Sequence, residues 1–389
     1  QIARAVRGQK FQHRYYVDGP ITVGDAHYGG GWKTVLVGTT GAGGRSVFAL
    51  DVTNPDGFGA NNVLWELTGA TDDDLGFVLG KPTIVPVAID GLASAPRWVA
   101  LFGNGPNSAN GAPVLFVVDI ASGAVLARLK PGNSYAGQNG LMNIAPVAVY
   151  NSLGVVDTVY GGDLQGNLWK FDLRGTQADW KVAFSGAPLF QARYGTQVQP
   201  ITGGLEISSG PGGGISVLFG TGRFFVQGDN TDTSVQSLYG IWDNLSDTPV
   251  SGRDVLVNQS VSALGAKDGY NTRGVGPVPP NSVNYGVHRG WYVDLVVAGQ
   301  AAAGERFIGA PTLQNGKVIF TTYVPTSAIC SAGGGVNWLY ALDLLSGTGS
   351  MAGISLAPGG EAVCTGNCGA ISLNKDDSPQ APVTSANIF

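Results

Sequence analysis

The strongest constraint on how this chain can fold is a cycle of three strand-like phrases that returns in fixed order. The first phrase carries a proline just before or at the start of an apolar strand, at Pro20, Pro82, Pro146, Pro200 and Pro311. Proline can begin a strand but cannot sit in the middle of a hydrogen-bonded ladder. The second phrase is an apolar run ending in glycine or a small polar residue, at 34–40, 98–105, 158–162, 216–222 and 317–323. The third ends in an aspartate or its neighbour, at 47–52, 115–120, 168–173, 238–243 and 338–344. Asp51, Asp119, Asp172, Asp243 and Asp343 are therefore followed by turn chemistry. A fourth strand often follows, as at 63–67 and 125–129.

The clearest hairpin occupies 161–173. A strand ends in Asp163, Gln165-Gly166-Asn167 makes a tight turn, and a second strand alternates Leu168, Lys170 and Asp172 with Trp169, Phe171 and Leu173. Gly166 supplies the positive φ that joins two antiparallel strands closely. Asp163 and Asn167 are expected to satisfy turn amides, and the phrase-ending aspartates, Asp172 among them, to brace their corners in the same way. Trp169 completes this structural motif as a core aromatic.

Four antiparallel strands per unit, recurring at about 50 to 70 residues, are the pattern of a β-propeller. A pair of β-sandwiches does not explain the ordered proline–glycine–aspartate cycle. The predicted fold is all-β, a single propeller domain over 1–389 with 1–12 as a leading strap. Five copies are clear. The interval from Pro200 to Pro311 is roughly twice the usual step and holds a further strand candidate, Gly290-Trp291-Tyr292-Val293-Asp294-Leu295. Residues 244–289 read as an insertion or a divergent blade, and 358–389 as an irregular closing tail.

The 61 glycines are about twice the usual frequency, and only 13% of residues are charged, as short strands and tight turns require. A net charge of −5 without a basic block argues against nucleic acid as a partner. The short basic cluster Arg4, Arg7, Lys10 and Arg14 is followed by a strand and reads as an exposed leading strap and the residues just after it. No apolar run reaches the roughly 18 residues of a membrane helix. The chain opens on Gln1 without a signal peptide, which suggests a piece of a longer protein. Cys364 could pair with Cys368, or either with Cys330, in an exported protein; in a reducing compartment all three would be thiols. Three cysteines without a well-spaced fourth ligand argue against zinc.

The wording of the repeat goes further than its period. His13-Arg14-Tyr15-Tyr16-Val17-Asp18-Gly19, Ala49-Leu50-Asp51-Val52-Thr53-Asn54-Pro55, Phe102-Gly103-Asn104-Gly105-Pro106-Asn107-Ser108 and the 161–173 hairpin resemble the C-terminal domain of PilY-type proteins. Val318-Ile319-Phe320-Thr321-Thr322 and Cys330-Ser331-Ala332-Gly333-Gly334 extend the resemblance over most of 13–347. These proteins are type IV pilus biogenesis factors and tip-associated adhesins. The resemblance implies a modified, quinoprotein-like propeller of about seven blades with irregular insertions. It implies export to the periplasm, outer surface or pilus tip, with minor pilins of the tip complex and host or abiotic surfaces as partners. Pilus extension, surface attachment and twitching motility are the implied functions.

Many members of that family carry a calcium loop patterned Asp-x-Asn-x-Asp-Gly-x-x-Asp before the 161–173 hairpin. The aligned residues here are Val149, Asn151, Leu153, Gly154, Val155 and Asp157. Asn151, Val155 (through its carbonyl) and Asp157 remain, but two carboxylates have become Val149 and Leu153. Calcium takes about six to eight oxygens, so the loop is expected to keep its shape without the ion. Asp72-Asp73-Asp74 reads as solvated acid rather than a second metal patch. Catalysis is not expected, because no Gly-x-Ser-x-Gly elbow, HExxH or phosphate loop occurs. The adjacent cysteines expected of a quinoprotein dehydrogenase are missing as well. A lectin-like alternative would use loop aromatics such as Tyr135, Tyr270 and Tyr285.

Overall fold

The computed structural model describes residues 14–326, 334–352, 355, 361 and 364–385. The leading strap and Cys330 lie outside the described residues. Among those residues the regular structure is strands and short 3-10 turns. The first sheet orders β1 (Ile21–Tyr28), β2 (Gly31–Thr39), β3 (Ser46–Asp51) and β4 (Val63–Thr68), and the second β5 (Thr83–Val87), β6 (Arg97–Gly103), β7 (Leu115–Asp119) and β8 (Val125–Leu129). Every neighbouring pair in these two sheets is antiparallel. A third sheet runs β12 (Lys181–Val182), β11 (Asn167–Asp172), β10 (Thr158–Asp163), β9 (Leu141–Val147), with β13 (Phe190–Gln191) also on β11. The hairpin of β14 (Arg193–Tyr194) and β15 (Gln197–Val198) follows.

The remaining strands are β16 (Glu206–Ser209), β17 (Ile215–Gly220), β18 (Ser237–Asp243), β19 (Val257–Asn258), β20 (Val261–Lys267), β21 (Tyr270–Val275), β22 (Gly290–Asp294), β23 (Arg306–Phe307), β24 (Thr312–Gln314), β25 (Lys317–Pro325), β26 (Gly335–Asp343) and β27 (Cys368–Ser372). One sheet has the order β16-β17-β18-β22-β19, and another β20-β21-β27-β26-β25-β23 with β24 on β25. The 290–294 strand is thus the antiparallel partner of β18, and 244–289 intervenes between third and fourth strands of one sheet. The β20–β21 hairpin inside that stretch extends the other sheet through β27.

Two sequence expectations need correction, and one is only partly met. Pro146 does not open a strand: it sits one residue before the end of β9, a sheet-edge strand, where proline is tolerated. Pro200 leads only to a single bridge, Ile201 with Gly222, because the following Gly203-Gly204 packs against Phe307 and Ala310 before β16 begins. The tail expected to be irregular contains β27, which pairs with both β21 and β26. The short Cys-Gly-Ala-Ile-Ser run lacks a turn-bounded apolar alternation that would have marked it.

The chain divides into two compact units, 1–159 with 171–182, and 160–170 with 183–389. In the first, Val35, Val37, Val47, Ala49, Phe102 and Phe116 form a continuous buried cluster. Trp65 of β4 donates its indole N–H to the carbonyl of Ile120, 2.9 Å away. Beneath the ring lies Gly123, with φ +73. In the second unit Trp291 of β22 donates to the carbonyl of Leu344, also at 2.9 Å, and its ring covers Gly347, with φ +70. Both partners lie in the same type of corner, Asp-x-x-Ser-Gly, directly after an aspartate-closed strand of another sheet. The device therefore recurs: a fourth-strand tryptophan caps the corner after an aspartate-closed strand, and glycine leaves room for the ring.

Candidate functional site

Each of the five phrase-ending aspartates is the last residue of its strand. Asp51 accepts from the Thr53 amide at 2.9 Å, Asp119 from Ser122 at 2.8 Å, Asp172 from Arg174 at 3.0 Å, Asp243 from Leu245 at 2.9 Å and Asp343 from Ser346 at 2.8 Å. A carboxylate bonding amides two or three residues ahead mimics a backbone turn and fixes where the chain leaves the sheet.

The 161–173 motif is split between the two units. Asp163, Gly166, Asn167 and Trp169 come together in the second unit. The Asp163 carboxylate is fully buried and accepts from the Gln165 amide (2.9 Å), the Asn167 amide (2.9 Å), Asn167 Nδ2 (2.8 Å) and the Trp169 indole (2.8 Å). A buried carboxylate of this kind is tolerated because its lone pairs are saturated. A side chain on Gly166 would lie 2.6 Å from the Gln199 carbonyl oxygen. One strand position on, Lys170 pairs with Asp243 at 2.6 Å, with both side chains buried. The Tyr160 hydroxyl donates to the same carboxylate at 2.6 Å. Sequence reading did not find this pair; a lysine in a strand buried on both faces is its only sequence trace.

Asp172 lies in the first unit, bound by Arg174 Nε and Nη2, each at 2.8 Å. Burial pushes the Asp172 carboxyl up, but the Arg174 bonds outweigh it and hold the group below the usual carboxylate range. The same unit contains the 149–157 loop. Asp157 is 7% exposed, and its Oδ1 accepts from the Val149 amide (2.9 Å) and the Thr158 hydroxyl (3.0 Å). Its Oδ2 accepts from the Tyr150 amide (2.8 Å) and Asn151 Nδ2 (2.9 Å). Asn151 Nδ2 also donates to the Val155 carbonyl at 2.6 Å, while Asn151 Oδ1 accepts the Leu153 and Val155 amides at 3.1 and 3.2 Å. Leu153 points outward, 62% exposed. The oxygens of Asn151, Val155 and Asp157 that could face a cation are thus bonded to protein donors, so the donor set fits calcium poorly.

Other sequence candidates also have partners. Asp72 and Asp74 are not a solvated patch: Arg128 binds Asp72 at 2.7 Å, while Lys130 (3.1 Å) and Asn110 (2.7 Å) bind the buried Asp74. The Tyr285 hydroxyl donates to the Leu345 carbonyl at 2.7 Å, and Tyr270 packs on the core, so neither is a free stacking platform. Cys364 and Cys368 form a disulfide. In the second unit Arg273 pairs with Glu305 at 2.6 Å, its guanidinium 3.4 Å above the Trp338 ring.

The PilY1 beta-propeller domain model matches residues 2–258. A type IV pilus biogenesis factor PilY1 homolog of Xylella fastidiosa is 44% identical over 97% of this chain and 26% of its own length. The PilY1 of Pseudomonas aeruginosa (strain UCBPP-PA14) is 33% identical over 86% of this chain and 32% of its own length. The chain thus spans between about a quarter and a third of those relatives. The crystal structure of the P. aeruginosa PilY1 C-terminal domain superposes with a TM-score of 0.76 at 29% identity, covering 92% of this chain and 78% of that one. The all-β propeller reading and the family resemblance both hold, and the chain belongs to the family of PilY1 β-propeller domains.

Proposed function

We propose that this domain is a non-catalytic platform in type IV pilus biogenesis, exported to the periplasm, outer surface or pilus tip. Its loops would engage minor pilins and, at the tip, host or abiotic surfaces, supporting pilus extension, attachment and twitching motility. The observation that carries this reading is 44% identity, sustained over 97% of the chain, to a protein named for pilus biogenesis. The internal use of charge favours a scaffold: Lys170, Asp243, Arg273 and Glu305 are spent on buried pairs. Deleting residues 14–385 in the host, with the rest of the protein still produced, should abolish surface pili and twitching. Normal piliation and motility in that strain would refute the proposal.

A second reading, saccharide binding, is favoured by one feature. Trp32 is 62% exposed and braced edge-on by His27 and Trp98, each 5.5 Å away. His27 and Trp98 line a groove of about 720 Å³ with Asp90, Arg97, Asp119 and Ser122. An aromatic platform beside carboxylates and a guanidinium suits the two faces of a pyranose. A glycan array on which wild type and Trp32→Ala are equally silent removes this reading.

A further inference from the structure

The family resemblance implies a cation at 149–157, but the protein atoms leave no seat for one. The Asp157 carboxylate, with about four lone-pair sites, already accepts four bonds from Val149, Tyr150, Asn151 and Thr158. A calcium ion there would pull the Val155 carbonyl and an Asp157 oxygen toward one centre. Asn151 Nδ2 does this instead, 2.6 Å from the first and 2.9 Å from the second. A neutral amide supplies the geometry but not the charge. Arg174 braces the loop from outside: its guanidinium lies 4.3 Å from the Tyr150 ring centre and makes a bidentate pair with Asp172. The Asp172 hydrogen bond is the main influence raising the Arg174 pKa, and attraction to Tyr150 and Asp157 adds to it.

We propose that 149–157 is a metal-independent clasp, in which the Asn151 carboxamide nitrogen takes the place of a calcium ion and the Arg174 guanidinium, stacked on Tyr150 and paired with Asp172, pins the loop from outside. The clasp ties the loop to the corner that ends β11, because Tyr150 lies under Arg174 and Arg174 is held by Asp172, the last residue of that strand. The Leu173 amide donates to the Asp157 carbonyl at 2.9 Å, closing the same connection through the backbone. What a calcium-loaded relative would gain on binding the ion is here built into the covalent chain. The conformation of this loop therefore does not respond to calcium concentration.

The test uses the intact 389-residue chain. Calorimetric titration with calcium should give no binding heat, and the melting temperature should be the same in millimolar calcium and in chelator. Stoichiometric uptake with a melting rise of several degrees would overturn the proposal. A triple variant, Val149→Asp with Asn151→Asp and Leu153→Asp, restores the carboxylates lost at 149 and 153 and replaces the Asn151 amide with a third. It should be less stable than wild type in chelator and recover on adding calcium. Indifference of that variant to calcium would show that the amide does not occupy a cation position. Arg174→Gln should lose hydrogen-exchange protection at the Val149 and Tyr150 amides, with or without calcium. Unchanged protection would rule out the guanidinium's part.

Discussion

Gly123→Ala tests the tryptophan-capped corner against an internal control of matched backbone. Gly123 and Gly154 both have φ +73. An alanine at either pays the left-handed cost of about 1 kcal/mol. A Cβ on Gly154 meets nothing within 4 Å, whereas one on Gly123 lies 2.5 Å from Trp65 Cβ and 2.6 Å from Cγ. Trp65 is 7% exposed and cannot swing aside without disturbing the cluster around Val47, Ala49 and Phe116. Overpacking of this sort costs about 1–3 kcal/mol, and moving the indole weakens its bond to Ile120, worth about 1 kcal/mol. Gly123→Ala should therefore be roughly 2–4 kcal/mol less stable than Gly154→Ala, measured by urea denaturation followed by tryptophan fluorescence. For a unit of this size that separates the melting temperatures by about 5–15 °C. Should Gly123→Ala prove too unstable to purify, Trp65→Phe keeps an aromatic ring, though a smaller one, and leaves the Ile120 carbonyl unpaired, which alone costs about 1–3 kcal/mol. Equal stability of the two alanine variants would refute the idea that tryptophan seating holds the corner.

The same comparison in the second unit pairs Gly347→Ala with Gly316→Ala, at φ +70 and +72. Only the former has Trp291 above it, so only the former should lose more than the backbone cost in denaturant titration. Lys170→Met leaves the buried Asp243 carboxylate with Tyr160 but without its cation. Breaking one side of a buried pair costs about 3–5 kcal/mol, and a loss under about 1 kcal/mol in the same assay would contradict the burial of this pair. Acid response follows from Asp172, whose folded pKa lies below the ordinary value near 3.9. In that window the unfolded chain binds more protons than the native one, so the contribution is complete above the unfolded pKa and is lost as pH falls through the native one. Asp172→Asn should accordingly lose less stability than wild type between about pH 5 and 2, and parallel losses would count against the Arg174 pairing.

Much of the fold was legible because its punctuation is chemical. A strand ending in aspartate needs a side chain that can bond the amides beyond it, so Asp51, Asp119, Asp172, Asp243 and Asp343 mark true strand ends in sequence and in structure. Proline was a weaker sign, since an edge strand accepts it as readily near its end, as Pro146 shows. The destination of the 244–289 hairpin was not legible, because β21 pairs with β27 about 100 residues away and local pattern carries no record of that partner. At the 149–157 loop the lost carboxylates were visible from the residue types. What holds the loop in their place was not, because Arg174 lies beyond the next two strands and Asn151 reads equally well as ligand or donor.

Hydrogen exchange of the tryptophan indoles, read by nitrogen-edited NMR, tests most directly whether capped aspartate corners build this domain. The Trp65 and Trp291 indole protons should persist long after transfer to deuterated water, while that of Trp32, 62% exposed, should vanish at once. Exchange at Trp65 and Trp291 as fast as at Trp32 would contradict the account.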